Sequence, residues 1–206
     1  MLLLAALAGW LIVLNVYPFL APTSRVQSEV LVVEGWISPR TLRQAAAEFL
    51  TGGYREAITS GGPIQEDSGL RNGPTLADWG AQMLRRYGLT DAPVTPVPCY
   101  EEHRDRTYLA ALAVKQWLEL NRPAVNAVDL LTIGPHARRS RLLFQKAFGP
   151  GIKVGIISVP DPEYDQEHWW RSSEGVRDVL GETVAWVYAR FFFWPAAPQS
   201  GAGIRQ

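Results

Sequence analysis

Short apolar runs alternate along most of the chain with longer segments in which apolar residues recur at helical spacing. The runs are rich in Val and Ile and end in Gly or Pro, which is typical of buried strands. Strands are predicted at 29–35, 57–60, 94–100, 127–133 and 153–159. Helices are predicted at 38–50, 74–87, 105–120, 136–148 and from 172 to the aromatic cluster at 191–194. This alternation predicts a three-layer Rossmann-like α/β/α sandwich around a mainly parallel five-stranded sheet.

The first 22 residues follow a different pattern. Residues 2–21 are apolar except for Asn15, and about twenty such residues are enough to cross a bilayer as a helix. A signal peptide is disfavoured because no basic segment begins the chain and no clear small-x-small cleavage site precedes Ser24. A buried core helix is disfavoured because neither face is polar. We therefore predict an N-terminal transmembrane anchor at 1–22. Arg25 is the only charge near this segment, so the positive-inside rule hardly constrains which side the domain occupies, and we expect the periplasmic side.

The rest of the chain reads as a single α/β domain at 29–194. The tail at 195–206 is rich in Pro, Gly, Ala and Gln, which predicts disorder. Within the sheet, Pro96 and Pro98 weaken the third strand as a ladder partner, which predicts an edge or bent strand.

Composition excludes several kinds of site. The 206 residues include 20 basic and 20 acidic side chains, so nonspecific nucleic-acid binding is not expected. Cys99 is the single cysteine, which excludes an intrachain disulfide and a four-cysteine zinc site, and it reads as a small buried residue rather than a nucleophile. The three histidines form no metal-binding pair, and neither a dinucleotide fingerprint nor a P-loop occurs. No metal site is predicted, and no cofactor is identified.

The richest stretch in chemical groups is LLTIGPHARRSR at 130–141. It places three arginines at a helix start, where the helix dipole favours negative groups, so a phosphate or carboxylate ligand fits there. His136 and Arg139 are three residues apart and share one helix face. Arg138 and Arg141 point elsewhere, towards salt bridges or solvent.

Other candidates follow the remaining strands, because ligands of such sheets bind beyond the carboxyl ends of the strands. Glu34 and Gly35 end the first strand, where the carboxylate is either a functional base or a structural ion-pair partner. Ser60, Gly61 and Gly62 end the second, as an N–H cradle or an ordinary turn. Arg106 and Thr107 begin the third helix of the domain, where Thr107 is either a helix cap or a ligand contact. The loop 168–171 is either a lid or an apolar hinge.

The order of VLVVEGW, TSGGP, DRTYLAAL and GPHARRSRLLF resembles the DUF218 family over about 29–159. His136 with Arg139, and Arg106 with Thr107, match its strongest motifs. The resemblance implies a Rossmann-like domain and a role in the bacterial cell envelope, such as barrier function or handling of a lipid carrier.

Two hypotheses share the predicted site. In the first, a membrane-anchored enzyme acts on a phosphorylated or anionic metabolite, with His136 and Glu34 as catalytic groups and Arg106 and Arg139 as an anion clamp. In the second, a noncatalytic module binds a nucleotide-like or S-adenosylmethionine-like ligand. Both require Glu34, Arg106 and His136 to surround one pocket, whereas a purely structural protein requires no pocket.

Overall fold

The computed structural model describes residues 1–64, 73–100 and 104–195. The predicted disordered tail lies outside these residues apart from Pro195. The helices are α1 (Leu2–Leu20), α2 (Pro39–Gly52), α3 (Leu76–Arg86), α4 (Arg106–Asn121), α5 (Ala137–Phe148) and α6 (Ser173–Phe191). The strands are β1 (Val30–Glu34), β2 (Glu56–Gly61), β3 (Val94–Pro98), β4 (Ala127–Ile133) and β5 (Lys153–Val159). Short 3₁₀ turns occupy Gly134–His136, Gly149–Gly151 and Gln166–Arg171.

All five strands are parallel, in the order β3-β2-β1-β4-β5. The predicted α/β class, the five parallel strands and the helices on both faces are confirmed. The proline-containing strand β3 lies at an edge, as predicted. Chain order reverses between β1 and β4, and this reversal opens a crevice at their carboxyl ends in sheets of this kind.

Each face of the sheet carries its own core, because successive strand residues point to opposite sides. Val30 and Val32 of β1 pack in the core beneath α4 and α5. Leu31 and Val33 pack in the core beneath α2 and α3. All of β1 is therefore buried, and Glu34 at its end enters the interior with it.

The N-terminal helix α1 is partly integrated into the domain. Tyr17 and Leu20 in its last turns are buried against Tyr164, Trp169 and Val179. Its earlier turns expose apolar side chains such as Leu7 and Leu11. Among the described residues, no helix has the length and apolar character required to traverse a bilayer. The predicted helix is present, and its role as an anchor stays a prediction.

The segment between α1 and β1 runs beside β5 and is bonded to the sheet. Ser24 forms an antiparallel bridge with Ile156. The Val26 N–H donates to Oδ1 of Asp129 at 2.8 Å. The guanidinium of Arg25 donates to both carboxylate oxygens of Glu48, at 2.7 and 2.8 Å. Arg25 therefore belongs to the domain surface.

Candidate functional site

A pocket of about 580 Å³ lies beyond the carboxyl ends of β1 and β2, beside the 3₁₀ turn that follows β4. Its volume falls within the range usual for small-molecule sites. The predicted site residues that line it are Glu34, Ser60, Gly61, Gly62, Arg106, Thr107, His136 and Arg139. Gly35 is not among the lining residues. The three residues on which both hypotheses depend thus surround one pocket.

Glu34 forms the base of the pocket on the β1 side. Its side chain is 4% exposed. The hydroxyl of Ser140, on the first turn of α5, lies 3.2 and 3.1 Å from its two carboxylate oxygens and donates to them. Ser140 therefore fixes the carboxylate at the end of the strand.

His136 faces Glu34 from the 3₁₀ turn before α5. Nε2 of its buried ring lies 3.5 Å from Oε2 of Glu34, an ionic contact at the outer limit of hydrogen bonding. The indole of Trp36 meets the imidazole edge-on, with 4.9 Å between ring centres. Nε2 is buried and forms no hydrogen bond with any described residue.

Glu182 on α6 holds the other side of the imidazole. Its Oε1 lies 2.8 Å from Nδ1 of His136. Arg139 donates to the same carboxylate through Nε at 2.7 Å and Nη2 at 2.8 Å. Nη2 of Arg139 also lies 2.9 Å from Nδ1. Because Nδ1 donates its proton to the carboxylate, this last distance is a close approach of two donors rather than a hydrogen bond.

The two carboxylates keep His136 protonated. Burial alone would lower the pKa of His136, but the charge of Glu34 and the hydrogen bond to Glu182 raise it to about 9. At neutral pH both ring nitrogens therefore carry protons. Nδ1–H is engaged by Glu182, and Nε2–H points towards Glu34.

The pKa values of the two acidic partners are shifted in the opposite direction, below their usual values. Burial would raise the pKa of Glu182, but hydrogen bonds from Arg139 and His136 lower it to about 2. Burial would likewise raise the pKa of Glu34, yet the positive charge of the adjacent His136 holds that pKa below its usual value. Two anions and two cations thus form a neutral buried group on one wall of the pocket.

The start of α4 forms a second wall. Its N-cap is Asp105, whose side chain makes no capping hydrogen bond and whose φ of 52° is uncommon for a residue with a side chain. Thr107 is the second helical residue, so the prediction that Thr107 caps the helix is wrong. Arg106 and Thr107 lie in the first turn, where backbone N–H groups have no partner within the helix.

The glycines after β1 and β2 are required by close packing. A Cβ atom on Gly35 would lie 2.2 Å from the carbonyl oxygen of Leu76, and one on Gly61 would lie 2.7 Å from Cβ of Leu76. At Gly62 a Cβ would lie 3.2 Å from the carbonyl oxygen of Cys99. Gly35 and Gly61 let the start of α3 approach the sheet, and Gly62 faces the residue that follows β3. The use of residues 60–62 as an N–H cradle stays a prediction.

The third wall is apolar. It comes mainly from α6 and the residues that follow it, with Ala185, Tyr188, Ala189 and Phe193 lining the pocket. A ligand that reaches from the charged wall to this one needs both an ionic and an apolar part.

Comparisons with known protein families, with curated proteins and with solved structures found no match. The DUF218 assignment therefore stays a proposal.

Other predicted features lie away from the pocket. Arg138 donates to the carbonyl oxygen of Phe19, and Nε of Arg141 donates to that of Val154 at 3.0 Å. Their partners are thus backbone carbonyls rather than acids. In the loop 168–171, Trp169 is buried and donates to the carbonyl oxygen of Val13 at 3.1 Å. The loop consequently packs on α1, and it does not line the pocket.

Sequence reasoning missed Glu182 and Ser140. Ser140 is four residues after His136 and so shares its helix face, a signal the sequence contains. Glu182 is one turn before Ala185 on a helix face that also carries Ala189. Small residues at these positions weakly indicate that another part of the chain or a ligand packs closely against this face of α6. The sequence contains no direct sign that α6 supplies a charged group to this site.

Proposed function

We propose that this protein binds and acts on an anionic metabolite with a phosphate group and an apolar part, such as one attached to a lipid carrier, in the bacterial cell envelope. The observation that carries this proposal is the placement of the Glu34–His136 pair. It lies between a helix start bearing Arg106 and an apolar wall from α6.

The anionic group of the ligand would bind at the start of α4. Backbone N–H groups and the helix dipole favour a phosphate there, and Arg106 adds a charged donor. Arg139 was predicted to bind the anion together with Arg106. Its guanidinium instead donates two hydrogen bonds to Glu182, whose charge neutralises it. We therefore assign Arg139 the task of holding Glu182 and, through it, the imidazole of His136.

Glu34 and His136 form an acid/base pair suited to hydrolysis of a phosphate monoester. Glu34 takes a proton from the attacking water as its oxygen bonds to phosphorus. The ester P–O bond breaks, and His136 Nε2–H protonates the departing oxygen, giving an alcohol and inorganic phosphate. A His136 pKa of about 9 keeps this acid protonated at neutral pH.

The test uses butyl phosphate and octyl phosphate as probes, with binding measured by calorimetry and turnover by release of inorganic phosphate. We expect octyl phosphate to bind more tightly, because its chain reaches the α6 wall. His136→Asn and Glu34→Gln should abolish phosphate release, whereas the matched variant His168→Asn, outside the pocket, should not. If neither ester binds, the proposal is overturned.

A second candidate is a noncatalytic module for a nucleotide-like or S-adenosylmethionine-like ligand. Among residues 1–64, 73–100 and 104–195, six charged residues line the pocket, and their charges cancel: Glu34, Asp105, Glu182, Arg106, Arg139 and protonated His136. This balance favours a ligand with little net charge, and the crevice between β1 and β4 is where nucleotides bind in related topologies. Calorimetry with S-adenosylmethionine and adenosine monophosphate tests this candidate, which is favoured if either binds and no phosphate ester is cleaved.

The location also belongs to the proposal. The exposed apolar side chains in the first turns of α1, including Leu3, Leu4 and Leu7, support attachment to a membrane through this helix. The predicted periplasmic side follows from the family resemblance.

A further inference from the structure

Helix α6 has two functional faces. Glu182, Ala185 and Ala189 face the pocket. On the opposite side is an exposed stripe formed by Leu180, Val184, Val187, Tyr188 and Phe191. Their spacing of four, three, one and three residues keeps them on one side of the helix. Val184 alone is 71% exposed, so the stripe is not part of the domain core.

Helix α1 extends this apolar surface. Its last turns pack on α6, where Phe19 meets Trp186 edge-on with 4.9 Å between ring centres. Leu7, Leu11 and Leu14 of α1 are exposed. We name the exposed stripe of α6 together with these three leucines the α1–α6 face. Exposed apolar side chains on two helices in contact are typical of an interaction surface.

Cations and aromatic rings border one end of the face. The guanidinium of Arg138 lies 4.0 Å from the ring centre of Phe19, and that of Arg190 lies 5.4 Å from the ring centre of Phe191. Neither of these two cations forms an ion pair within the part of the chain that the structure describes.

We infer that the α1–α6 face lies on a lipid bilayer that carries anionic phosphate headgroups. Apolar side chains enter the boundary of the acyl chains, aromatic rings occupy the headgroup level, and the unpaired cations meet the phosphates. A second copy of this chain would offer the same cations to one another, so charge complementarity favours the lipid surface.

Both helices expose apolar side chains on this face, so the inference places them along the bilayer surface. Tyr188 belongs both to the stripe and to the pocket lining, so the pocket meets the lipid surface at this residue. The inference extends the proposed function by naming the surface from which an amphiphilic ligand enters.

The test measures cosedimentation of the full chain with two kinds of vesicle, phosphatidylcholine alone and phosphatidylcholine mixed with phosphatidylglycerol. We expect stronger binding to the anionic vesicles. Leu180→Glu combined with Val184→Glu should weaken that binding by about tenfold or more, because two apolar contacts become charges. The matched control is Leu50→Glu, an exposed leucine on α2 at the other face of the sheet.

The cations have a separate test. Arg138→Gln combined with Arg190→Gln should remove the preference for anionic vesicles, while Arg40→Gln combined with Arg86→Gln should leave it. Unchanged vesicle binding by both the Leu180/Val184 and the Arg138/Arg190 variants would overturn the inference. A second result would also overturn the inference. If the protein is a dimer in ultracentrifugation and the Leu180/Val184 variant is a monomer that still binds vesicles, the face joins two copies of the chain.

Two control measurements separate a loss of vesicle binding from misfolding and from loss of the ligand pocket. Thermal melts monitored by circular dichroism confirm folding, and Leu180→Ser with Val184→Ser replaces the glutamates if the first variant does not fold. Binding of butyl phosphate without vesicles should be unaffected by the Leu180/Val184 variants, because neither residue lines the pocket. The proposed function and the membrane inference can therefore fail independently.

Discussion

Glu182 and His136 are 46 residues apart in sequence, yet Oε1 of the carboxylate lies 2.8 Å from Nδ1 of the ring. The contact joins α6 to the turn after β4. It leaves Nε2 as the nitrogen that faces Glu34 and the pocket.

Glu182→Gln should lower the pKa of His136. The neutral amide removes one of the two carboxylates that stabilise the imidazolium, so the pKa of about 9 should fall by about 1 to 2 units. NMR titration of the His136 ring measures the change, with His136→Asn identifying its resonance. Glu174→Gln alters an exposed acid on the same helix and should leave the titration unchanged. An unaltered pKa in Glu182→Gln would show that the contact does not control protonation.

The free energy of unfolding should decrease as the pH rises above 6.5. The folded pKa of His136 is raised from 6.5 to about 9, so its contribution is complete below 6.5 and is lost as the pH rises through 9. The lowered pKa of Glu182 gives a contribution that is complete above 4.5 and is lost as the pH falls towards 2. Urea unfolding between pH 5 and 9.5 should therefore show a falling midpoint above pH 6.5. The His136→Asn variant should lack most of this decline, and an equal decline in both proteins would contradict the assignment.

Arg106→Gln should weaken butyl phosphate binding by about tenfold to a hundredfold, since one charge-assisted hydrogen bond contributes on the order of 1.5–3 kcal/mol. Arg86→Gln makes the same change at an exposed site on α3 and should not affect binding. Calorimetry measures both. Equal affinities would place the anion elsewhere in the pocket.

Gly35→Ala should destabilise the fold by about 1–3 kcal/mol, because the new methyl group overlaps the Leu76 carbonyl and forces the backbone apart. Gly181→Ala should have the opposite effect. A Cβ there meets no atom within 4 Å, and alanine favours the helix by about 0.5–1 kcal/mol. Chemical denaturation distinguishes the two. A neutral Gly35→Ala would show that α3 can move away from β1.

The fold could be predicted because its signals are local. Ser38 and Pro39 mark the start of α2, and the structure places the Ser38 hydroxyl as acceptor of the Thr41 N–H. Pro96 and Pro98 indicate an edge strand, because proline has no backbone N–H to donate to a neighbouring strand. The packing of Tyr17 and Leu20 into the domain could not be predicted, because a uniformly apolar helix has no polar face to show which side meets protein.

The site was only partly predictable for a related reason. Glu34 and His136 follow strands, and parallel strands bring their ends together whatever lies between them. Glu182 comes from a helix whose position depends on tertiary packing, and its charge reassigns Arg139 from ligand binding to positioning. A sequence shows that an arginine is present, but its partner is determined by the fold.

The bridge between Ser24 and Ile156 bears on any attempt to shorten this protein. Deleting the apolar N-terminus through Ser28, a natural choice for improving solubility, would uncover the outer edge of β5 and leave it open to pairing with another chain. It would also strip the buried Asp129 carboxylate of the Val26 N–H that binds it. The shortened domain would therefore gain a new tendency to aggregate at the opposite end of the sheet from the edge strand β3.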